Sequence, residues 1–313
     1  MDEVAEPHAD HPSSRSPTHL TPQPAEDYAA ALRRIQAIQA AEEALPIYSD
    51  ANRTKLMSHG ARAANVIVFL HGFTNSPEQY VSLGRRYFEQ GYNIYIPRQP
   101  RHGFKTLSGA PLKGLGLEEL AAFATQTADI AQGLGERVVV AGSSTGGTLT
   151  AWLAQQRADI ALAAPIAPCL GIGFIPWRLT RAAAQLASLL PDVFMWWDPV
   201  RKMDNPYSVS YTYRGYYLHA LLANLRLGFN AERQAKRLRP AAGRIVVITN
   251  ANDFSVNNRR TAELVKLWQK HAPDLVQTYE FDPGLHIPHD MISPTRIDAC
   301  VEVVYPKLLE MIK

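Results

Sequence analysis

Residues 142–146 read Gly-Ser-Ser-Thr-Gly, which is the pattern G-x-S-x-G. A short apolar run rich in valine leads into it, and a helix-compatible stretch follows. A chain that turns this sharply from strand to helix strains its central residue, projects that side chain, and is flanked by small residues two positions away. Gly142 and Gly146 flank Ser144 in this way, whereas Ser143 lacks such neighbours. We therefore predict that Ser144 is a nucleophile.

A serine hydroxyl is a weak nucleophile, so this chemistry also needs a histidine as base and a carboxylate that orients it. Asp253 follows a predicted strand over 244–249 and is the carboxylate nearest that strand end. Two histidines, His286 and His289, follow the next predicted strand over 276–281. From these residues alone, either histidine can be the base. The pair has no third ligand at a suitable spacing, so no metal site is predicted.

Acyl transfer further requires donors for the oxygen that becomes negatively charged. Residues 71–74 read His-Gly-Phe-Thr and follow a predicted strand over 66–70. Gly72 allows a close backbone approach, so the N–H of Phe73 is one predicted donor, and the N–H of Thr145 is the other. One such donor typically lowers the barrier by about 3–4 kcal/mol.

The elements that must position these residues are short apolar strands alternating with amphipathic helices. This alternation predicts an α/β fold whose mostly parallel central sheet is covered by helices on both faces. In such sheets, active sites gather at the carboxyl ends of the strands. The strands are predicted over 66–70, 93–96, 137–141, 160–166, 244–249 and 276–281, and the helices over 117–134, 145–157, 260–271 and 295–312.

One long interval breaks the alternation, and we interpret 169–243 as a helical cap insertion. The core is then formed by 26–168 and 244–313. A structureless loop of this length inside a compact domain is implausible. Helices are predicted over 179–190, 217–225 and 231–238. The aromatic side chains here either form the core of the insertion or line an acyl pocket, and the pocket candidates are Trp177, Trp196, Trp197 and Tyr211.

The chain has 313 residues, of which 46% are hydrophobic, so it can bury a large core. Residues 1–25 are rich in Pro, Ser, His and Asp and are predicted to be a disordered tail. A helix is predicted over about 25–45. Cys169 and Cys300 lie far apart and indicate neither a disulfide framework nor a metal site.

The formal net charge is +3, and the basic residues occur in pairs rather than as a stripe, so no nucleic-acid partner is predicted. The N-terminus lacks the pattern of a signal peptide. The uncharged stretch over 160–177 is broken by prolines and glycines, so it is not read as a membrane segment. A cytoplasmic location is therefore predicted.

Together these motifs resemble the α/β-hydrolase-fold serine esterases, close to the carboxylesterase and monoacylglycerol-lipase group. The resemblance is carried by 71–74, 97–103, 142–146, Asp253 and the histidine segment 284–290. The family often inserts a cap after the sixth strand of its sheet, and the interrupted interval occupies that place.

The resemblance also implies roles for individual residues. The family's order along the chain is serine, acid, histidine, which implies Ser144, Asp253 and His289 here. The family's histidine commonly precedes an acidic residue, as His289 precedes Asp290. The stretch between Asp253 and His289 is longer than is usual in the family, which keeps His286 as the alternative base.

Thr145 departs from the family's pattern, because an apolar residue frequently follows the nucleophile. Its backbone donor is unaffected by this change. The predicted function is hydrolysis of small-molecule carboxylic esters with apolar acyl or aryl groups, through an acyl-enzyme intermediate and without a cofactor. The oligomeric state is not readable from the sequence.

Two alternatives stay open. A thioesterase or acyltransferase would use the same triad, and Arg98, Arg101 and His102 could then form a basic docking face for a carrier protein. A binding protein that has lost catalysis would share the scaffold, since a fold does not guarantee a function.

Overall fold

The structure is a computed structural model and describes residues 21–313. Its strands are β1 (Lys55–Met57), β2 (Ala63–Leu70), β3 (Asn93–Ile96), β4 (Gly135–Ser143), β5 (Leu162–Ile166), β6 (Phe194–Trp196), β7 (Gly215–Tyr217), β8 (Ile245–Asn250) and β9 (Val276–Phe281). Its α-helices are α1 (Tyr28–Glu43), α2 (Val81–Phe88), α3 (Leu117–Leu134), α4 (Thr145–Gln156), α5 (Thr180–Ala187), α6 (Leu218–Ala235), α7 (Asn258–His271) and α8 (Val301–Met311).

Seven strands form one sheet in the order β1-β3-β2-β4-β5-β8-β9. Only the edge strand β1 is antiparallel to its neighbour; the other pairings are parallel. In the centre, Val68 pairs with Val140, and Val140 pairs with Ala163. The predicted α/β architecture with a mostly parallel, helix-covered sheet is confirmed.

The central strands are apolar because both of their faces are covered. Val66, Ile67, Val68, Phe69 and Leu70 are fully buried in β2. Each such side chain contributes about 1.5–3 kcal/mol by leaving water. A strand that buries both faces shows a continuous apolar run rather than alternation. The same sheet brings the ends of β2, β4, β8 and β9 to one edge, where the candidate residues lie.

The region between β5 and β8 differs in detail from its prediction. Two helices are predicted over 217–225 and 231–238, but the structure has one continuous helix there, α6. Gly228 lies inside this helix, and a Cβ there would meet Leu170 Cδ2 at 2.7 Å, so glycine allows α6 to approach the segment after β5 closely. Strands β6 and β7 form an unpredicted antiparallel hairpin, since three-residue strands are too short to show a period.

The last helix starts later than predicted, at Val301 rather than 295. The preceding residues form turns, where Arg296 Nε donates to Asp298 Oδ1 at 2.8 Å.

Within residues 21–313, no helix has both the length and the apolar character needed to span a bilayer.

Residues 1–20 of the predicted tail lie outside the described residues. At the start of the described chain, the N–H of Gln23 donates to Asp129 Oδ2 at 2.8 Å. Ala25 is buried, and its N–H donates to the Asp129 carbonyl at 2.8 Å. Asp129 is itself held by an ion pair with Arg157 at 2.7 Å. This N-terminal segment is therefore anchored to the core.

Candidate active site

Ser144 lies at the turn between β4 and α4 with φ 55° and ψ −113°. This conformation falls outside the regions that L-residues normally adopt, and it costs about 1–3 kcal/mol. The backbone on both sides holds it in place. The Ser144 N–H donates to the Ile166 carbonyl at 3.0 Å, and the Ser144 carbonyl accepts from the N–H groups of Cys169 at 3.0 Å and Thr148 at 2.9 Å.

The two glycines of the motif are required by close backbone contacts. A Cβ at Gly142 would contact the Gly146 carbonyl, and a Cβ at Gly146 would contact the Leu70 carbonyl at the end of β2. The turn from β4 into α4 is therefore so tight that only glycine fits at these two positions, as the sequence pattern predicts.

Ser144→Gly should raise the free energy of unfolding by about 1 kcal/mol, and the melting temperature by about 1–2 °C. Glycine removes the backbone strain of about 1–3 kcal/mol but loses about 0.5–1 kcal/mol in additional chain entropy. Ser144→Ala is the matched control because alanine keeps the Cβ. Denaturant and thermal unfolding of both variants give the comparison, and a glycine variant no more stable than the alanine variant would contradict this prediction.

The structure brings Asp253 and His289 together. His289 Nδ1 lies 2.6 Å from Asp253 Oδ2, and the aspartate side chain is fully buried. The second carboxylate oxygen, Oδ1, accepts from the N–H groups of Ser255 at 2.9 Å and Val256 at 3.2 Å. A buried carboxylate on Nδ1 fixes the imidazole tautomer and leaves Nε2 to act on a substrate or nucleophile.

A carboxylate shortly before a helix could also serve as the helix N-cap, but in the structure a different residue caps the helix that follows Asp253. The N-cap of α7 is Asn257, whose side chain accepts from the Arg260 N–H. Asp253 lies further upstream, directly after β8, and its contacts are with the histidine and its own loop.

The other candidate base, His286, is exposed and follows a short 3₁₀ turn with φ 50°. It is His289, not His286, that faces the Asp253 carboxylate. The His289 side chain is 24% exposed, so its ring is accessible from the site. Spacing along the chain could not separate these two residues.

The pKa of His289 reflects opposing effects. Burial lowers the pKa, but the charge of Asp253, the hydrogen bond to it and the charge of Asp290 outweigh burial and raise the pKa above its ordinary value. Arg296 opposes them weakly. The ion-pair geometry favours the protonated ring that forms during proton transfer.

A base must be neutral to accept a proton, so we expect kcat/KM to fall as pH falls through the raised His289 pKa. The midpoint of this acid limb should lie above pH 6.5, the ordinary value for histidine. Asp253→Asn removes the main charge that raises the pKa, so the limb of its residual activity should move to lower pH. A pH–rate profile measures both, and an unchanged midpoint in the asparagine variant would contradict the assignment.

Cys169 interacts with both Ser144 and Asp253. The Cys169 N–H donates to the Ser144 carbonyl at 3.0 Å, and burial together with the Asp253 charge raises the pKa of its thiol to about 12. In the described part of the chain, the Ser144 hydroxyl forms no hydrogen bond with His289 or His286. Such bonds are often long until a substrate binds.

The predicted oxyanion donors lie at a loop and at a helix end. Thr145 is the first residue of α4, where an N–H has no partner inside the helix. In the other donor loop, the Gly72 N–H donates to Gln79 Oε1 at 2.8 Å and the Thr74 N–H donates to His102 Nε2 at 3.2 Å. Among residues 21–313, the Phe73 N–H between them has no protein acceptor. It is therefore available to a ligand.

Thr74 anchors the donor loop, and its residue type alone did not indicate this role. It has φ 63°, and all of its polar groups are bonded. Besides the His102 contact, its carbonyl accepts from the Tyr213 N–H at 2.9 Å. Its hydroxyl accepts from Trp197 Nε1 at 2.8 Å. Two residues of the 169–243 interval thus hold the loop that presents Phe73.

The pocket candidates in that interval have different environments. Trp197 lies edge-on to Phe73, with the ring centroids 6.2 Å apart. The centroid of the Trp197 ring is 4.3 Å from that of Tyr216. Trp196 packs instead on Phe194 in the hairpin, at 4.9 Å. Sequence reasoning missed Tyr216 as a neighbour of Phe73, since nothing in its spacing distinguishes it from the other tyrosines.

The remaining candidates are not joined to that aromatic group. Tyr211 is buried, and its carbonyl accepts from Asn52 Nδ2 at 2.8 Å. Trp177 lies under the Arg178 guanidinium at 5.0 Å and lines a cavity of about 670 Å³ that Asp253 also borders.

The loop considered as a basic docking face carries little free charge. Arg98 pairs with Glu42 at 3.0 Å, and Arg101 pairs with Glu119 at 2.9 Å. Burial lowers the pKa of His102 to about 4, so this ring is neutral. These residues therefore do not support recognition of an acidic carrier protein. Within residues 21–313, no cluster of three or more His, Cys, Asp or Glu side chains could hold a metal ion.

The sheet order, the strained serine turn and the buried aspartate–histidine pair define the class of protein. Residues 67–294 match the model of the alpha/beta hydrolase family, and the chain belongs to that family. The resemblance drawn from the sequence motifs is confirmed.

Particular relatives refine this placement. A thermostable monoacylglycerol lipase from Bacillus sp. (strain H-257) is 29% identical over 122 residues, which are 36% of this chain and 44% of that protein. The match thus spans less than half the length of that relative.

Solved structures with the same fold include a structure described for the metagenome-derived lipolytic enzymes LipS and LipT. It superposes with a TM-score of 0.64 at 17% identity, covering 84% of this chain and 98% of that chain. The monoacylglycerol lipase of Paleococcus ferrophilus superposes with a TM-score of 0.60 at 14% identity, covering 83% and 97% of the two chains. At these identities the likeness shows a shared fold.

Proposed function

We propose that this protein is a serine hydrolase that cleaves carboxylic esters through an acyl-enzyme intermediate. The observation that carries the proposal is the 2.6 Å contact between His289 Nδ1 and the buried Asp253 carboxylate, at the same sheet edge as the strained Ser144. Membership of the alpha/beta hydrolase family and the similarity to a monoacylglycerol lipase support it.

In the proposed reaction, Ser144 Oγ attacks the ester carbonyl carbon while His289 Nε2 takes the hydroxyl proton. The N–H groups of Phe73 and Thr145 stabilise the oxyanion. The tetrahedral intermediate collapses, and His289 gives its proton to the leaving alkoxide. Water then attacks the acyl-enzyme by the same route, which releases the acid and restores Ser144. Asp253 orients the imidazole and stabilises its protonated form.

We further propose that the substrate's acyl or aryl group is apolar. Phe73, Trp197 and Tyr216 form an aromatic group beside the proposed oxyanion donor. Ligand pockets are mainly apolar with a few polar groups that fix orientation. This arrangement supports the interpretation of 169–243 as a cap that contributes side chains to the site.

Turnover of p-nitrophenyl esters from acetate to palmitate tests the proposed function directly. We expect hydrolysis, a burst of p-nitrophenol where deacylation is slow, and labelling of the protein by a fluorophosphonate probe. Parallel assays with acyl-CoA and with an ester plus an alcohol separate hydrolysis of oxygen esters from thioesterase and acyltransferase activity. Absence of both turnover and labelling would support the catalytically inactive alternative and overturn the proposal.

A further inference from the structure

Gln79 lies in the 3₁₀ turn Pro77–Tyr80 and takes no part in the proposed chemical steps. Its side chain is nevertheless buried, with the residue 2% exposed, and both ends of its amide are bonded. Oε1 accepts from the Gly72 N–H at 2.8 Å, and Nε2 donates to Asp290 Oδ1 at 2.8 Å. One side chain thus connects the residue before Phe73 to the residue after His289.

The Asp290 end of this connection is firmly held. Its Oδ1 also accepts from the N–H groups of Ser293 at 3.1 Å and Ile292 at 3.3 Å. Its Oδ2 accepts from the Ser293 hydroxyl at 2.6 Å and from Asn75 Nδ2 at 3.2 Å. The carboxylate is therefore fixed to its own loop, and a displacement of this loop would carry His289 with it.

The Gly72 end is equally constrained. Gly72 lies two residues after the end of β2, and its carbonyl accepts from the Asn75 N–H at 3.1 Å and from His71 Nδ1 at 3.0 Å. The Phe73 N–H is the next donor along the chain. A change in the orientation of the Gly72 peptide therefore changes where the Phe73 N–H points.

From these contacts we propose that Gln79 is a positioning residue, whose amide holds the oxyanion-donor loop and the catalytic-histidine loop in one fixed relation. The inference rests on the proposed function, in which Phe73 and His289 act on the same substrate. An amide suits this position because it presents an acceptor to an N–H and a donor to a carboxylate at once. Neither a carboxylate nor an apolar side chain can do both.

Gln79→Leu removes both bonds at nearly constant size. We expect kcat for p-nitrophenyl butyrate to fall by about 10- to 100-fold, since a displacement of about 1 Å in catalytic geometry can cost about 100-fold. KM should change by less than about threefold, because a donor that acts mainly in the transition state contributes little to substrate binding. Gln79→Glu keeps the acceptor but loses the donor and places a second carboxylate near Asp290, so kcat should fall here as well.

Gln155→Leu is the matched control. This glutamine is also buried, its Nε2 donates to the Arg239 carbonyl at 3.1 Å, and its Oε1 accepts from Trp268 Nε1 at 2.8 Å. It lies near the far end of α4, about 16 Å along the helix axis from Ser144. The control variant should lose thermal stability while kcat per folded molecule stays within about twofold of wild type.

A trifluoromethyl ketone gives a readout that a purely structural role would not change. Ser144 Oγ adds to its carbonyl carbon, the hydroxyl proton passes to His289, and the carbonyl oxygen becomes an oxyanion at the Phe73 and Thr145 donors. Its inhibition constant should rise in parallel with the loss of kcat in the Gln79 variants. It should stay unchanged in Gln155→Leu.

The outcomes separate this inference from the proposed function. A wild-type protein without ester turnover or fluorophosphonate labelling overturns both. An active wild type with unchanged kcat and ketone affinity in Gln79→Leu overturns the positioning role alone. If the leucine variant does not fold, Gln79→Glu decides in the same way. Equal losses of kcat per folded molecule in Gln79→Leu and Gln155→Leu would also overturn the positioning role.

Discussion

Ser144→Ala should lower kcat for p-nitrophenyl esters by about a million-fold and abolish fluorophosphonate labelling. The reaction needs a covalent bond between Oγ and the acyl carbon, and the neighbouring hydroxyl residues Ser143 and Thr145 are buried. The fold should persist, because alanine retains the Cβ and the backbone contacts of Ser144 with Ile166 and Cys169 involve main-chain atoms only. Stopped assays at high enzyme concentration, with circular dichroism on the same samples, measure both effects.

The neighbouring serine provides the control for this experiment. Ser143 is buried in the last position of β4, and its hydroxyl lies 3.5 Å from Gln79 Oε1, a distance at the limit of hydrogen bonding. Ser143→Ala should keep kcat within about tenfold of wild type. A Ser144→Ala variant that retained more than about a thousandth of wild-type kcat would be incompatible with nucleophilic catalysis by Ser144.

His289→Gln should reduce kcat by about 10⁵- to 10⁶-fold, since loss of the base costs nearly as much as loss of the nucleophile. Glutamine is close in size to histidine and can still donate to Asp253, but it cannot accept a proton at neutral pH. The double variant with Ser144→Ala should be scarcely less active than either single variant, because residues that act as one unit have non-additive effects. Single-turnover kinetics would locate the loss in acylation.

His286→Gln is the complementary test of the proposal that His289, and not His286, is the base. His286 is exposed, and the histidine in contact with the Asp253 carboxylate is His289, so we expect kcat within about threefold of wild type. If the two substitutions gave the reverse ranking, the base would be His286. The aspartate–histidine pair would then be a structural contact only.

Much of the sheet could be read from the chain because local sterics and burial enforce its pattern. The strand over Asn93–Ile96 and the helix over Leu117–Leu134 match their predicted bounds. The glycines around Ser144 were informative because a Cβ at either position would collide with backbone atoms. Such a collision cannot be avoided by a change of side-chain rotamer. Short elements were missed, because the β6–β7 hairpin depends on pairing rather than on any local period.

What the sequence by itself determined was the order of the reactive residue types and their places at strand ends, since glycine sterics and apolar runs act over a few neighbouring residues. Only the tertiary structure decided that His289 rather than His286 meets Asp253, because both follow the same strand and the loop's path selects one of them. It also decided the role of Gln79, whose side chain joins nearby Gly72 to Asp290, which is 211 residues away along the chain. Contacts between distant segments depend on the complete set of packing interactions, and no local pattern encodes them.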